Sequence, residues 1–153
     1  MKSILLASLA VAWVVLAGSA LGADAKGFPR ISQEELKAAL ASKSVTLLDC
    51  NGSESYAQGH IPGAVNFETV KKDLAARLPA DHKALIVAYC GGEKCGAWRA
   101  AAEAADALGY TDIRCYSAGI KGWKSAGEGV ETVQNSPCAP PACGVCGVCG
   151  GEK

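Results

Sequence analysis

Residues 84–89 read Ala-Leu-Ile-Val-Ala-Tyr, apolar without alternation, and are followed at once by Cys90, Gly91 and Gly92. An unbroken apolar run of strand length needs cover on both faces, which predicts a central strand of a parallel sheet. Residues 97–108 are rich in alanine and predict a helix, with Gly109 suited to end it. Strand, glycine loop and helix therefore meet at one cysteine.

The flanking sequence repeats that alternation. Ser32 and Glu35 form a capping box, stapled by Ile31 and Leu36, at the start of a short amphipathic helix. Residues 45–49 predict a brief strand, broken by Asn51-Gly52, after which Ser53 and Glu54 can open another helix. A tight turn follows at Gly59-His60-Ile61-Pro62-Gly63, then a helix through Leu74 and Leu78 that stops at Pro79. Residues 113–116 supply a further strand, and residues 120–123 begin a last helical turn. Strands alternating with helices predict an α/β layered fold, a mainly parallel central sheet flanked by helices, with no internal repeat and no second folded domain.

Both ends fall outside this pattern. Lys2 precedes an apolar run over residues 4–21, and small residues lead to the charges Asp24 and Lys26. Residues 1–25 thus read as a Sec-type signal peptide, the alternative being an uncleaved N-terminal anchor. Export, most simply to a periplasm, is expected, or a membrane-anchored domain facing outside the cytoplasm; either setting lets disulfides persist. No cysteine lies near the candidate cleavage sites, which argues against a lipoprotein. The globular domain is expected over residues 28–133, roughly 110 residues and enough for one core. A formal net charge of +0 offers no basic field, so nucleic acid is not expected as a partner, and membrane only through an anchor.

Of 8 cysteines, Cys50, Cys90, Cys95 and Cys115 lie in the body and Cys138, Cys143, Cys146 and Cys149 in the tail, residues 134–153. The tail's prolines and repeated Gly-Val-Cys-Gly cannot build an apolar core. Its four thiols could hold one soft ion, zinc or copper(I), or form disulfides after export, or do neither. A ferredoxin-like cluster would need a further cysteine, and the sequence stops at Lys153. Cys90 carries the stronger chemical signal. Amides at a helix N-terminus favour a thiolate, and Gly91 and Gly92 let successive N–H groups turn inward to cradle an anion beside the sulfur. The expected anion-binding loop is Gly91, Gly92, Glu93, Lys94, Cys95 and Gly96.

Asp49, the run Gly59-His60-Ile61-Pro62-Gly63-Ala64, Cys90 at a strand end, Gly109-Tyr110 and Gly119-Ile120-Lys121-Gly122-Trp123 stand in one order. In these residues the chain resembles rhodanese-like domains, over about residues 31–133. The resemblance implies a sulfurtransferase in which Cys90 accepts sulfane sulfur from a small donor and holds it as a persulfide. It then passes the sulfur to a thiol or other nucleophilic acceptor, with no metal or organic cofactor required. Two departures bear on chemistry. Where the family has Asp-x-Arg this sequence reads Asp49-Cys50-Asn51, and Cys95 replaces the arginine that often closes the active loop. Lys94 and Arg99 remain as the cations expected nearby, so thiosulfate is predicted to be a poor donor.

The same replacements raise a second class of function, a thiol-disulfide oxidoreductase in which Cys90 attacks and Cys95 or Cys50 resolves. A third is a non-catalytic sulfur or metal carrier that uses the tail. A phosphatase or arsenate-reducing relative would need a longer loop closed by arginine, and Gly96 follows Cys95 instead. His60 is expected to tie its loop rather than act as a base, and Asp49 to organise the turn after its strand. Trp123 and Cys115 read as packing, and Arg99 as a solvated helix residue.

Overall fold

The computed structural model describes residues 27–133, so the expectations for a signal peptide and for a metal-binding tail fall outside the described residues. The capping box forms as its spacing requires. Ser32 Oγ accepts from the Glu35 amide and the Glu35 carboxylate accepts from the Ser32 amide, opening helix α1 (Gln33–Ala41). Strand β1 (Val45–Asp49) follows, then α2 (Ser53–Gln58), β2 (Val65–Asn66), α3 (Phe67–Val70) and α4 (Leu74–Arg77). Strand β3 (Leu85–Tyr89) leads through the cysteine loop to α5 (Trp98–Ala107), and β4 (Ile113–Tyr116) leads to α6 (Gly119–Ser125).

The four strands form an all-parallel sheet in the order β2-β1-β3-β4. β1 and β3 pair along their whole length, from Val45 against Leu85 to Asp49 against Tyr89. Successive strand residues point to opposite faces, so one strand feeds two cores. Leu47, Val87, Tyr89 and Tyr116 pack with Leu36, Ile61, Ile120 and Trp123 on one face. Leu48, Ile86, Ala88 and Ile113 pack on the other with Leu74, Leu78 and the α5 alanines Ala101, Ala102 and Ala105. Three buried alanines in α5 let its backbone lie close on the sheet. Because β3 is covered on both faces, it is apolar at every position rather than at alternate ones.

Three details depart from the sequence reading. Helix α5 runs Trp98–Ala107, one residue inside the predicted 97–108 at each end. The final helix starts at Gly119 and runs to Ser125, beyond the single turn expected. β2 and α3 had no signal of their own, because two strand residues and a one-turn helix are too short to show a period.

The strand order carries a functional consequence. The chain leaves β1 toward β2 on one side and returns to place β3 on the other. At the carboxyl ends of β1 and β3 the connections therefore diverge, and such switch points are where open α/β sheets form ligand crevices. The segments leaving these two ends are Cys50-Asn51 and Cys90-Gly91.

Candidate active site

Cys90 sits at the end of β3, only 2% exposed. Gly91, Gly92, Glu93, Lys94 and Cys95 line an open cleft of about 600 Å³, closed on its far side by Ala118, Lys121, Gly122 and Ser125. The loop is shaped by two sets of bonds. Cys95 N–H donates to Gly92 O at 2.9 Å, turning the chain back toward Cys90. From beneath, Ile120 N–H donates to Cys90 O at 2.9 Å and Lys121 N–H to Gly91 O at 3.2 Å. The first amides of α6 are thus spent on holding the loop. The amides of Gly91, Gly92, Glu93 and Lys94 find no acceptor among the described residues, which leaves them free for an anion.

Gly119 makes this support possible. Its φ of +59° lies in the left-handed region, and a Cβ there would drive into the Cys90 carbonyl oxygen and come within 2.6 Å of the Gly92 nitrogen.

Cys90 and Cys95 are joined in a disulfide, their Cα atoms 6.3 Å apart. Cys90 Sγ also lies 3.3 Å from Cys95 O. Cys50 and Cys115 are free thiols. Cys50, at the end of β1, packs against the α5-side core. Its burial, then the neighbouring Asp49 charge and Cys115, push its pKa up to about 12. Burial likewise pushes Cys115 up to about 11, against the opposing pull of Arg30 and Arg99. The three thiols grouped in the sequence reading thus divide, with Cys95 on Cys90 and Cys50 bonded to neither.

Asp49 and His60 act on backbone and neighbouring side chains. Asp49 is buried, and its carboxylate accepts from Asn51 N–H at 2.7 Å, Asn51 Nδ2 at 2.9 Å and Tyr89 Oη at 2.5 Å. Tyr89 Oη accepts in turn from Ile61 N–H at 3.0 Å, and burial beside Asp49 holds its phenol firmly protonated. This chain of bonds locks the ends of β1 and β3 to the His60 turn. His60, 1% exposed, stacks on Tyr56 with ring centroids 3.7 Å apart and places Nδ1 2.8 Å from Tyr56 O. Its backbone pairs with Glu131, closing the carboxyl-terminal strap onto the turn. Trp123 packs in the core and donates Nε1–H to Gly129 O at 2.7 Å.

The cations sort differently from the sequence reading. Lys94 lines the cleft and Lys121 faces it from α6. Arg99 instead joins Arg30 and Cys115 in a second recess of about 250 Å³ behind the loop. Lys121 was the residue missed. It stood inside the Gly119–Trp123 motif, and only the packing of α6 under the loop turns it toward the site. Among the described residues no group of three or more His, Cys, Asp or Glu side chains is placed to hold a metal. No described helix is long and apolar enough to cross a membrane.

The family model for the rhodanese-like domain matches residues 32–126. The chain belongs to the rhodanese-like family. A thiosulfate:glutathione sulfurtransferase of Homo sapiens is 33% identical over 110 residues, spanning 63% of this chain and 94% of that protein. An HTH-type transcriptional regulator of Mycobacterium tuberculosis is 41% identical over 76 residues, 48% of this chain, and the match spans only 33% of the regulator's length. Among solved structures, the human single-domain sulfurtransferase TSTD1 superposes with a TM-score of 0.53 at 26% identity, over 65% of this chain and 97% of that one. The rhodanese-like domain of an Anabaena protein reaches 0.55 over 82% of this chain and 95% of its own; at 22% identity it speaks for the fold alone. The homologues of this rhodanese-like chain thus include sulfurtransferases.

Proposed function

We propose that the protein is a sulfurtransferase that carries sulfane sulfur as a persulfide on Cys90. The observation that carries this reading is the position of Cys90 at the β1/β3 switch point, beside four loop amides with no acceptor among the described residues. Those amides suit the negative charge of a persulfide or of a small anionic donor. Lys94 and Lys121 add two point charges but no guanidinium fork, so a persulfide donor is favoured over thiosulfate. The acceptor is a thiol or a comparable nucleophile, and no metal or organic cofactor enters the step. Residues 1–25 direct the domain out of the cytoplasm, or hold it at the membrane facing outward. Cys138, Cys143, Cys146 and Cys149 form a separate soft-metal site for zinc or copper.

The disulfide in the structure must be reduced before Cys90 can act. The test is an anaerobic single turnover of prereduced protein with a small-molecule persulfide. Wild type should remove about one sulfur atom per chain in the first turnover, and Cys90→Ser none. Equal removal by both would overturn the assignment. The Cys90–Cys95 pair also favours a second reading, a thiol-disulfide oxidoreductase. Such an enzyme would exchange disulfides with a dithiol substrate and take no sulfur from the donor.

A further inference from the structure

A persulfide on Cys90 holds two electrophilic sulfurs, and which one is attacked decides the product. Attack on the outer sulfur moves it to the acceptor and returns Cys90 as a thiolate. Attack on the inner sulfur, Cys90 Sγ, expels the outer one as hydrosulfide. The inner sulfur belongs to a residue 2% exposed at a strand end, so a thiol from solution meets the outer atom first. Cys95 is placed differently. The Gly92–Cys95 turn folds it back over Cys90, and the structure joins the two sulfurs. Cys50 and Cys115, the other described thiols, are unpaired and held protonated by burial.

The surroundings give this segment room to move. Glu93, Lys94 and Cys95 line the 600 Å³ cleft on one side and the 250 Å³ recess on the other. Cys95 can therefore swing away from Cys90 while an added sulfur is present, and return.

We infer that Cys95 is a resolving thiol that discharges the Cys90 persulfide as hydrosulfide, so that the chain reduces sulfane sulfur as well as carrying it. This rests on the persulfide reading above. In the first step the Cys90 thiolate takes the outer sulfur of a donor persulfide, forming one sulfur–sulfur bond and breaking another, and the donor leaves as its thiolate. In the second, the Cys95 thiolate attacks Cys90 Sγ. The Cys90–Cys95 bond forms, the bond to the outer sulfur breaks, and its electron pair leaves on hydrosulfide. Hydrosulfide is a weaker base than an alkyl thiolate, which makes it the better leaving group. A dithiol reductant then returns both cysteines to thiols and becomes a disulfide itself. The net change is one persulfide and one dithiol converted to one thiol, one hydrogen sulfide and one disulfide. An abundant acceptor thiol competes for the outer sulfur and diverts the cycle to transfer.

The experiment loads prereduced full-length protein with one equivalent of a small-molecule persulfide, without acceptor thiol or excess reductant. Hydrosulfide, intact mass and mapped sulfur bonds are then followed. Wild type should release about one hydrosulfide per chain and finish with a Cys90–Cys95 disulfide, two hydrogens lighter than the reduced chain. Cys95→Ser and Cys95→Ala should keep the added sulfur on Cys90, with hydrosulfide release slowed at least about tenfold. Wild type that holds its persulfide as long as these variants would overturn the resolving role and leave the carrier reading standing. Release coupled to a bond between Cys90 and a tail cysteine would overturn it equally. If wild type and both variants take up no sulfur at Cys90, the carrier reading fails, and this inference with it.

Discussion

Asp49 takes three hydrogen bonds at the end of β1, and the one from Tyr89 Oη crosses to the strand that delivers Cys90. The sequence reading assigned Asp49 and His60 to loop support, and their partners are a backbone amide, a backbone carbonyl and neighbouring side chains. Tyr89 was read only as apolar, because its run of neighbours gave no hint that its hydroxyl bridges two loops. Tyr89→Phe leaves the Ile61 amide without its acceptor and Asp49 Oδ2 without its donor in a dry site. The expected loss, read by urea denaturation, is about 1–3 kcal/mol. Cys50 makes a second prediction. The folded thiol titrates near 12 against an ordinary value of 9.0, so between these pH values the unfolded chain gives up a proton that the folded chain keeps. Its share of stability is whole below about pH 9 and falls as pH rises, by about 1.4 kcal/mol per pH unit at most. Denaturation of reduced protein from pH 8 to 11 should show a shallower decline in Cys50→Ala than in wild type. At Cys95 the missing guanidinium is testable. Cys95→Arg should raise kcat/KM with thiosulfate about tenfold over Cys95→Ser, which separates added charge from the lost disulfide. Equal values would count against the charge argument.

The elements legible beforehand were those with a strong period or a marked boundary. β3 announced itself by six apolar residues in a row, α1 by its capping box, and the end of α5 by Gly109, which takes the expected positive φ of +90°. The loop between β3 and α5 was legible in composition but not in shape. Its glycines pointed to amides turned inward, whereas the brace beneath it comes from α6, remote in sequence. That brace depends on one residue. Gly119→Ala adds a Cβ against the Cys90 carbonyl and imposes a left-handed backbone on alanine, so the loop or the helix must shift. We expect a loss of about 3 kcal/mol or more in stability and a still larger loss of sulfur uptake, measured by the single-turnover assay. Gly63→Ala, also at positive φ but with open space around its Cβ, should cost about 1 kcal/mol and leave uptake unchanged.

At the scale of the whole molecule, alternation of strands and helices gave the class of fold, and the order of motifs gave the family. The strand order was not legible, since β2 is two residues long, yet it is the order β2-β1-β3-β4 that makes the ends of β1 and β3 a crevice. It also explains why Cys50 and Cys95, the two thiols that accompany the lost arginines, have different fates. Cys50 follows β1 and turns into the α5-side core, while Cys95 lies on the loop that leaves β3 and folds back onto it. The account as a whole depends on Cys90 as the residue that accepts sulfur. The most direct measurement is intact-mass and peptide mapping of prereduced Cys95→Ser after anaerobic exposure to a small-molecule persulfide, because this variant cannot close the disulfide. We predict one added sulfur atom on Cys90. Sulfur found only on Cys50, Cys115 or the tail cysteines would contradict it.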